Sequence, residues 1–459
     1  MMAVPMCWKR TKILLLIVAS FAAALPGQTW QAGAAKVAIT PRMPVWMAGY
    51  GNRDKPSQGV AQQLQAKALA IEDPQGVRVV IVTTDLIGFV REVTETIADQ
   101  ARQRFKLPRN RLVITSSHTH TGPTLGNSLR VMYDLTPEQA QAVQDYTRYL
   151  EEQVVAVIGK AIGNLAPARL SFHRGKAGFA MNRREPTPQS VKIGVNPKGP
   201  VDHDVPVLQV SSPDGKLLAV LFSYACHNTT LTGNHYEFHG DYAGEAQERF
   251  ENKHPGAVAL FMMGCGADAN PQPRGELENA QRNGEELASA VESAVGRDGR
   301  PVQGQLRAEL THFPIPLAPA PSRGEFEARL KDSDRFVRRH AAQQIELLNR
   351  DGHSPRDYSY PLQAVQLGNT VTLVALGGEV VVGYALQLKQ RLGEETTWPV
   401  GYANDVFAYI PTRQILSEGG YEADRSQVYY GMPGPWAPAI EATILDQAVG
   451  LVNKLRGAK

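Results

Sequence analysis

The sequence predicts an α/β fold, a mixed sheet covered by helices. Short apolar runs rich in branched residues alternate along the chain with longer amphipathic stretches, and the composition is that of a globular protein, with 43% hydrophobic and 20% charged residues. Strands interleaved with helices bury their apolar faces best when helices cover a sheet. At 459 residues the length allows one large domain or two to three ordinary ones.

Taken in order, the expected strands are Leu64–Ile71, Val77–Leu86, Arg111–Ser117, Ala168–His173, Val205–Val210, Leu217–Ala225, Ala257–Met263 and Thr370–Leu376. Each is short and enriched in Val, Ile, Leu or Phe. Between and after them, helical periodicity predicts helices over Glu92–Arg104, Thr136–Leu165, Gly240–Asn252, Glu276–Val295, Gly324–Leu348 and Pro438–Leu455. The second opens on Thr136-Pro137-Glu138-Gln139, which supplies an N-cap hydroxyl, a proline at the first helical position and an acid in the first turn. Pro314–Ser322 reads either as a connection between subregions or as a surface loop. The sequence shows no internal repeat.

Residues 1–34 read as a secretory leader. Lys9, Arg10 and Lys12 precede the apolar run Ile13–Leu25, and small residues follow it through Ala35. That run is shorter than the ~20 residues a membrane-spanning helix needs, so the expectation is an exported protein, periplasmic or secreted, without a transmembrane segment. Cys7 would leave with the leader. Forty-eight basic and 45 acidic residues leave a net charge of +3 with no long Lys or Arg run, which sets a nucleic-acid partner aside.

Chemistry-bearing residues gather in four segments, each placed where an expected strand ends. The first is Ser116-Ser117-His118-Thr119-His120-Thr121-Gly122-Pro123. In extended chain His118 and His120 share a face, and two neutral imidazoles at a strand end suit a zinc ion, although buried histidines also serve structure. The second follows Leu217–Ala225: His227 lies close after the strand, and His235 and His239 come soon after, ahead of Asp241 and Glu245. The third, Gly264-Cys265-Gly266-Ala267-Asp268-Ala269-Asn270-Pro271, has the glycines that let backbone approach a ligand. In the fourth, Gly377-Gly378 delivers Glu379, a carboxylate that taken alone reads more readily as a surface residue. Cys226 and Cys265 each flank one of these segments and are open to two readings, a disulfide between the loops or two buried free thiols.

Together, His118-Thr119-His120-Thr121-Gly122-Pro123, His227, the Asn270 loop, Gly378-Glu379 and the stretch Gly401-Tyr402-Ala403-Asn404 through Tyr409-Ile410-Pro411-Thr412 resemble the catalytic domain of the neutral, non-lysosomal ceramidases. Val37-Ala38-Ile39-Thr40-Pro41 and Asn182-Arg183 match in the same order, so the resemblance runs from about residue 36 to the end. It implies a single large zinc hydrolase domain over residues 35–459, with Zn2+ held by His118, His227, Glu379 and Tyr409. His120 then falls on a position that assists the metal water or the substrate, and Arg183 and Tyr421 on two further site-lining positions. For Arg183 a structural ion pair is the competing role.

The activity implied is hydrolysis of an amide bond in a small amphiphilic or N-acyl substrate by metal-activated water, with peripheral membrane contact allowed. Two departures from the family bear on this. Asn270 stands where the family's ceramide hydrolases carry serine, and an amide is no nucleophile, so Asn270 is expected to hydrogen-bond rather than attack. The chain also ends soon after Pro438–Leu455, without the family's C-terminal immunoglobulin-like domain. Two other readings stand beside the first: a metal-bearing but catalytically silent binding protein, and a hydrolase of a different, non-lipid substrate.

Overall fold

The computed structural model describes residues 1–4 and 29–457. Most of the expected leader therefore lies outside the described residues. Its last residues do not: the first strand, β1, spans Gln31–Ala38, with Trp30 and Ala32 buried. Gln31 to Ala34 thus pair within the fold, on the leader side of the boundary expected from the sequence.

The architecture is mixed α/β, and it is built three times over. Three antiparallel strands, β1, β2 (Gln65–Glu72) and β3 (Arg78–Thr84), are followed by a crossover helix α1 (Arg91–Phe105) and a parallel strand β4 (Leu112–Ser116). A long helix, α2 (Pro137–Gly163), returns over β1 and β2. The same order recurs in β5 (Arg169–Lys176), β6 (Asp204–Ser211), β7 (Leu217–Tyr224), α3 (Asp241–Lys253), β8 (Val258–Met263) and the return helix α4 (Leu277–Val295). It recurs again in β9 (Leu306–Pro316), β10 (Asp357–Leu367), β11 (Val371–Leu376), α7 (Val382–Leu392) and β12 (Thr397–Val400). The third return helix, α10 (Ile440–Arg456), packs on β9 and β10. Parallel pairs joined through a helix are what an α/β crossover requires. The expected α/β architecture of mixed sheet covered by helices is thus present, as three mixed sheets flanked by helices.

The inner faces of the three sheets meet in one apolar cluster, to which Leu69 and Val113, Leu208 and Leu260, and Val365 and Trp398 contribute from the first, second and third sheets. β-branched and leucine side chains with no exposure on both faces explain why these strands read as continuous apolar runs rather than alternating ones.

One expected helix divides. Gly324–Leu348 is two helices, α5 (Arg323–Arg329) and α6 (Arg335–Asp351). Ser322 starts the first with a capping box, and the Asp334 side chain accepts from the Phe336 N–H to start the second, so the polar run Lys331-Asp332-Ser333-Asp334 is a turn with its own cap. This helical hairpin sits in the connection from β9 to β10. Pro314–Ser322 splits between the end of β9 and the turn into α5. Two short helices, α8 (Arg413–Glu418) and α9 (Gln427–Tyr430), flank a π-helical turn at Tyr421–Arg425. No helix among the described residues is long and apolar enough to cross a membrane.

Candidate metal centre

The candidate site forms where the carboxyl ends of the parallel strands come together, the position at which open α/β sheets expose side chains to a ligand. β4 ends into His118 and His120, β7 into His227, β8 into Asn270, and β11 into Glu379. Tyr402 and Tyr409 follow β12. The segments are joined by backbone: Thr119 bridges Asn228, His227 N–H donates to the Ala269 carbonyl, and Glu379 pairs with Tyr409 in a short parallel ladder.

Three imidazoles are aimed by the same device. His118 Nδ1 lies 2.5 Å from the Ile87 carbonyl, His120 Nδ1 3.1 Å from that of Gly49, and His227 Nδ1 3.1 Å from that of Gly266. A carbonyl only accepts, so each Nδ1 carries a proton and each Nε2 is the ring nitrogen left to face the site. Those nitrogens converge. His118 Nε2 is 3.1 Å from His120 Nε2, and the ligand atoms of the three histidines all lie within 4.8 Å of one another. Glu379 Oε2 lies 3.1 Å from both His118 Nε2 and His227 Nε2, and the Tyr409 hydroxyl is 3.2 Å from His227 Nε2. Acceptors facing acceptors in a buried place are unfavourable without a cation between them, and nitrogen and oxygen donors of this kind fit a zinc-like ion. The residues the resemblance assigns to the metal thus stand together, and His120 adjoins them through its contact with His118.

Electrostatics keeps the imidazoles ready to bind. Burial, reinforced by the Arg183 charge, pushes His227 down to about 3, and burial with the neighbouring imidazoles holds His120 well below its usual value. Burial alone would raise the Glu379 carboxyl, but the two imidazoles beside it hold it well below the usual carboxylate range. At neutral pH His120 and His227 are therefore neutral imidazoles close to the Glu379 carboxylate. Burial raises the Tyr409 phenol well above its usual value, with Arg183 opposing.

Arg183 makes an ion pair and also reaches two of the candidate site residues. Its Nε pairs with Glu422 Oε1 at 2.8 Å, Nη2 lies 3.0 Å from the Tyr409 hydroxyl, and Nη1 donates to Asn270 Oδ1 at 3.3 Å. The ion pair fixes the guanidinium while its other nitrogens face the site. Asn270 Oδ1 also accepts from the Thr229 hydroxyl at 3.2 Å, which leaves its amide nitrogen without a protein partner among the described residues. Tyr421 packs edge-on to Tyr409 with ring centres 5.4 Å apart. His235 and His239 do not join the cluster; His239 Nε2 faces Glu245 at 3.4 Å. Cys226 and Cys265 are buried free thiols.

Several contributors carried no sequence signal of their own. Tyr402 and Tyr430 both donate to Glu379, Tyr402 to Oε2 at 3.3 Å and Tyr430 to Oε1. Arg53, buried, donates to the carbonyls of Ala48, His120 and His235 and so holds the His120 loop. Tyr402 lies inside a motif that the resemblance used. Tyr430 and Arg53 lie in none.

The sequence profile described as "Neutral/alkaline non-lysosomal ceramidase, N-terminal" matches residues 30–311. The neutral ceramidase of Pseudomonas aeruginosa is 27% identical over 238 residues, covering 50% of this chain and 34% of that protein. Neutral ceramidase A of Dictyostelium discoideum is 24% identical over 250 residues, again 50% of this chain and 34% of the relative, and the Mycobacterium tuberculosis neutral ceramidase is 24% identical over 296 residues, 55% and 45%. The matched region thus spans about a third of the length of the first two relatives. The crystal structure of the Pseudomonas aeruginosa neutral ceramidase superposes with a TM-score of 0.74 at 20% identity, covering 94% of this chain and 75% of that one, so the fold is shared. With the profile matching well over half of its length, the chain belongs to the neutral/alkaline non-lysosomal ceramidase family.

Proposed function

We propose that the protein is a zinc-dependent hydrolase of amide bonds in N-acyl substrates of the ceramide type. The observation that carries the reading is the cluster of three imidazoles beside the Glu379 carboxylate, two of them 3.1 Å from its Oε2 and each ring fixed by its own carbonyl. His118, His227, Glu379 and Tyr409 would hold the ion. Bound there, zinc would supply Lewis acidity for activating a water and polarising a carbonyl oxygen.

The chain's own residues supply the rest. His120, the partly exposed imidazole of the three, is neutral and can take a proton at Nε2. Arg183 Nη2 sets a fixed positive charge beside the Tyr409 oxygen, favouring negative charge there. The free amide N–H group of Asn270 can donate to a substrate oxygen, while its own carbonyl is occupied by Arg183 and Thr229. Tyr421 walls the site beside Tyr409. Export to the periplasm or beyond is part of the same proposal, resting on the leader-like N-terminus.

A second reading, a ligand-binding relative without catalysis, is favoured by Asn270 in place of the family's serine. One experiment separates the two: metal analysis of purified protein, followed by assays on a panel of N-acyl sphingoid and other N-acyl substrates with and without chelator. Chelator-sensitive hydrolysis supports the proposal. Bound zinc with no turnover across the panel supports the silent relative, and activity in fully metal-free protein overturns the metal reading.

A further inference from the structure

Glu379 has two oxygens with different surroundings. Oε2 faces His118 and His227, each at 3.1 Å, and also accepts from the Tyr402 hydroxyl. Oε1 accepts from the Tyr430 hydroxyl, its hydrogen-bond partner among the described residues. The last torsion of a glutamate is broad, so an unrestrained carboxylate can exchange its two oxygens or swing away from its partners. A phenol donor on Oε1 removes that freedom and leaves Oε2 as the oxygen offered to the centre.

Tyr430 is in turn held from outside the site. It ends α9, a helix of four residues that is too short to be stable alone. Gly431 follows at φ 69°, and its carbonyl accepts from Gln344 Nε2 at 2.8 Å. The next carbonyl, of Met432, lies 2.7 Å from His340 Nε2, and the Tyr429 ring packs on Phe336 with centres 5.2 Å apart. Phe336, His340 and Gln344 are successive positions, four residues apart, on one face of α6. The helical hairpin inserted between β9 and β10 thus braces the segment that carries Tyr430.

We propose that Tyr430 is a positioning residue for Glu379, set by α6, which turns Oε2 toward the imidazoles and fixes the carboxylate for the ion. This rests on the metal reading of the site. Loss of an outer hydrogen bond to a metal-binding group typically weakens affinity ~10–100-fold. The test measures zinc affinity by competition with a chromophoric chelator, the absorption spectrum of the cobalt-substituted protein, and the melting temperature of the metal-free form. Tyr430→Phe, which removes one hydroxyl, is expected to bind zinc ~10–100-fold more weakly, with an altered cobalt spectrum and an unchanged metal-free melting temperature. Gln344→Ala, which loosens the brace and leaves the phenol in place, is expected to show the same change to a smaller degree.

Zinc affinity and cobalt spectrum equal to those of the unaltered protein in Tyr430→Phe would overturn the proposal while leaving the metal reading intact. A metal-free melting temperature lowered in Tyr430→Phe with zinc affinity preserved would make Tyr430 a structural residue and overturn it too. Failure of the unaltered protein to bind zinc would overturn the metal reading and this inference with it.

Discussion

Replacing Gly49 by alanine tests whether His120 acts in the reaction or in holding the ion. Gly49 has φ +93°, and a Cβ built on it would lie 2.4 Å from His120 Nδ1 and 2.6 Å from Cγ. Ordinary contact needs about 3.5 Å, so the ring must retreat by roughly 1 Å and surrender its bond to the Gly49 carbonyl. A displacement of that size at a reacting group costs on the order of 10²-fold in rate. The backbone adds ~1–2 kcal/mol of strain, because a side chain is forced to positive φ. Gly76→Ala is the control: Gly76 has φ +79° with nothing within 4 Å, so it carries the strain without the collision. The assay compares hydrolysis rate, bound zinc and melting temperature in the two variants. We expect both to melt lower, but only Gly49→Ala to lose turnover, with zinc retained by His118, His227, Glu379 and Tyr409. Loss of zinc would place His120 in the ligand set. Unchanged turnover in Gly49→Ala would refute the role given to His120.

Other outcomes follow from the same geometry. Asn270→Ala should lower turnover by ~10²–10³-fold or less, since one donor is lost, and should keep zinc; an acyl-enzyme trapped on any residue would instead contradict direct attack by water. The metal-free protein should lose stability in acid. His227 sits at about 3 when folded, against ~6.5 unfolded, so the unfolded chain binds the extra proton and stability falls as pH drops through that window, by up to ~1.4 kcal/mol per pH unit for such a group. Denaturant midpoints that stay flat from neutral pH to pH ~4 would contradict this. Cys226 and Cys265, buried and with thiols pushed upward by burial, should react with thiol reagents only after denaturation. A mass showing an internal disulfide would refute that.

Much of this arrangement was legible in the chain. The eight expected strands all appear, with ends within a few residues, because apolar runs bounded by Gly, Pro and Asp signal buried strands strongly. His118, His227 and Glu379 could be singled out because each follows such a strand, whereas Tyr409 entered only through the family resemblance. β9 and β10 were not legible, since Thr311, His312, Pro314 and Pro361 interrupt their apolar pattern. β9 is partly exposed along much of its length, with only three of its eleven residues buried, so it carries little burial signal. The threefold repeat was equally hidden. It is a repeat of topology, and packing preserves apolar character without preserving residues. Tyr430 and Arg53 lay beyond reach for a different reason: their roles arise from contacts 51 and 67 residues away in sequence, and nothing local distinguishes them.

The three-unit plan also explains why the site can be rigid before any ion arrives. His118, Tyr402 and Asn404 have positive φ values of 62°, 56° and 63°, conformations that cost a non-glycine residue energy and persist only where surroundings enforce them. All three lie in segments leaving the last strand of a unit. The enforcement comes across units. Asn404, following the third sheet, receives the Ile114 N–H of the first sheet at 3.3 Å, donates its own N–H to the Ile114 carbonyl at 2.8 Å, and reaches Gln363 Oε1 with its amide at 2.8 Å. His120 N–H donates to Asn228 of the second unit, and Gly401 N–H to Met263. Asn404 is therefore fixed directly by backbone of a neighbouring unit, while His118 and Tyr402 lie within two residues of such a bond, and the inter-sheet apolar core that brings the units together also offsets the strain. The first unit contributes His118, the second His227 and the third Glu379 and Tyr409, so no single unit contains the proposed ligand set. The geometry of the centre is a property of how the three sheets pack, and a change at their shared core should reach the site through these hydrogen bonds.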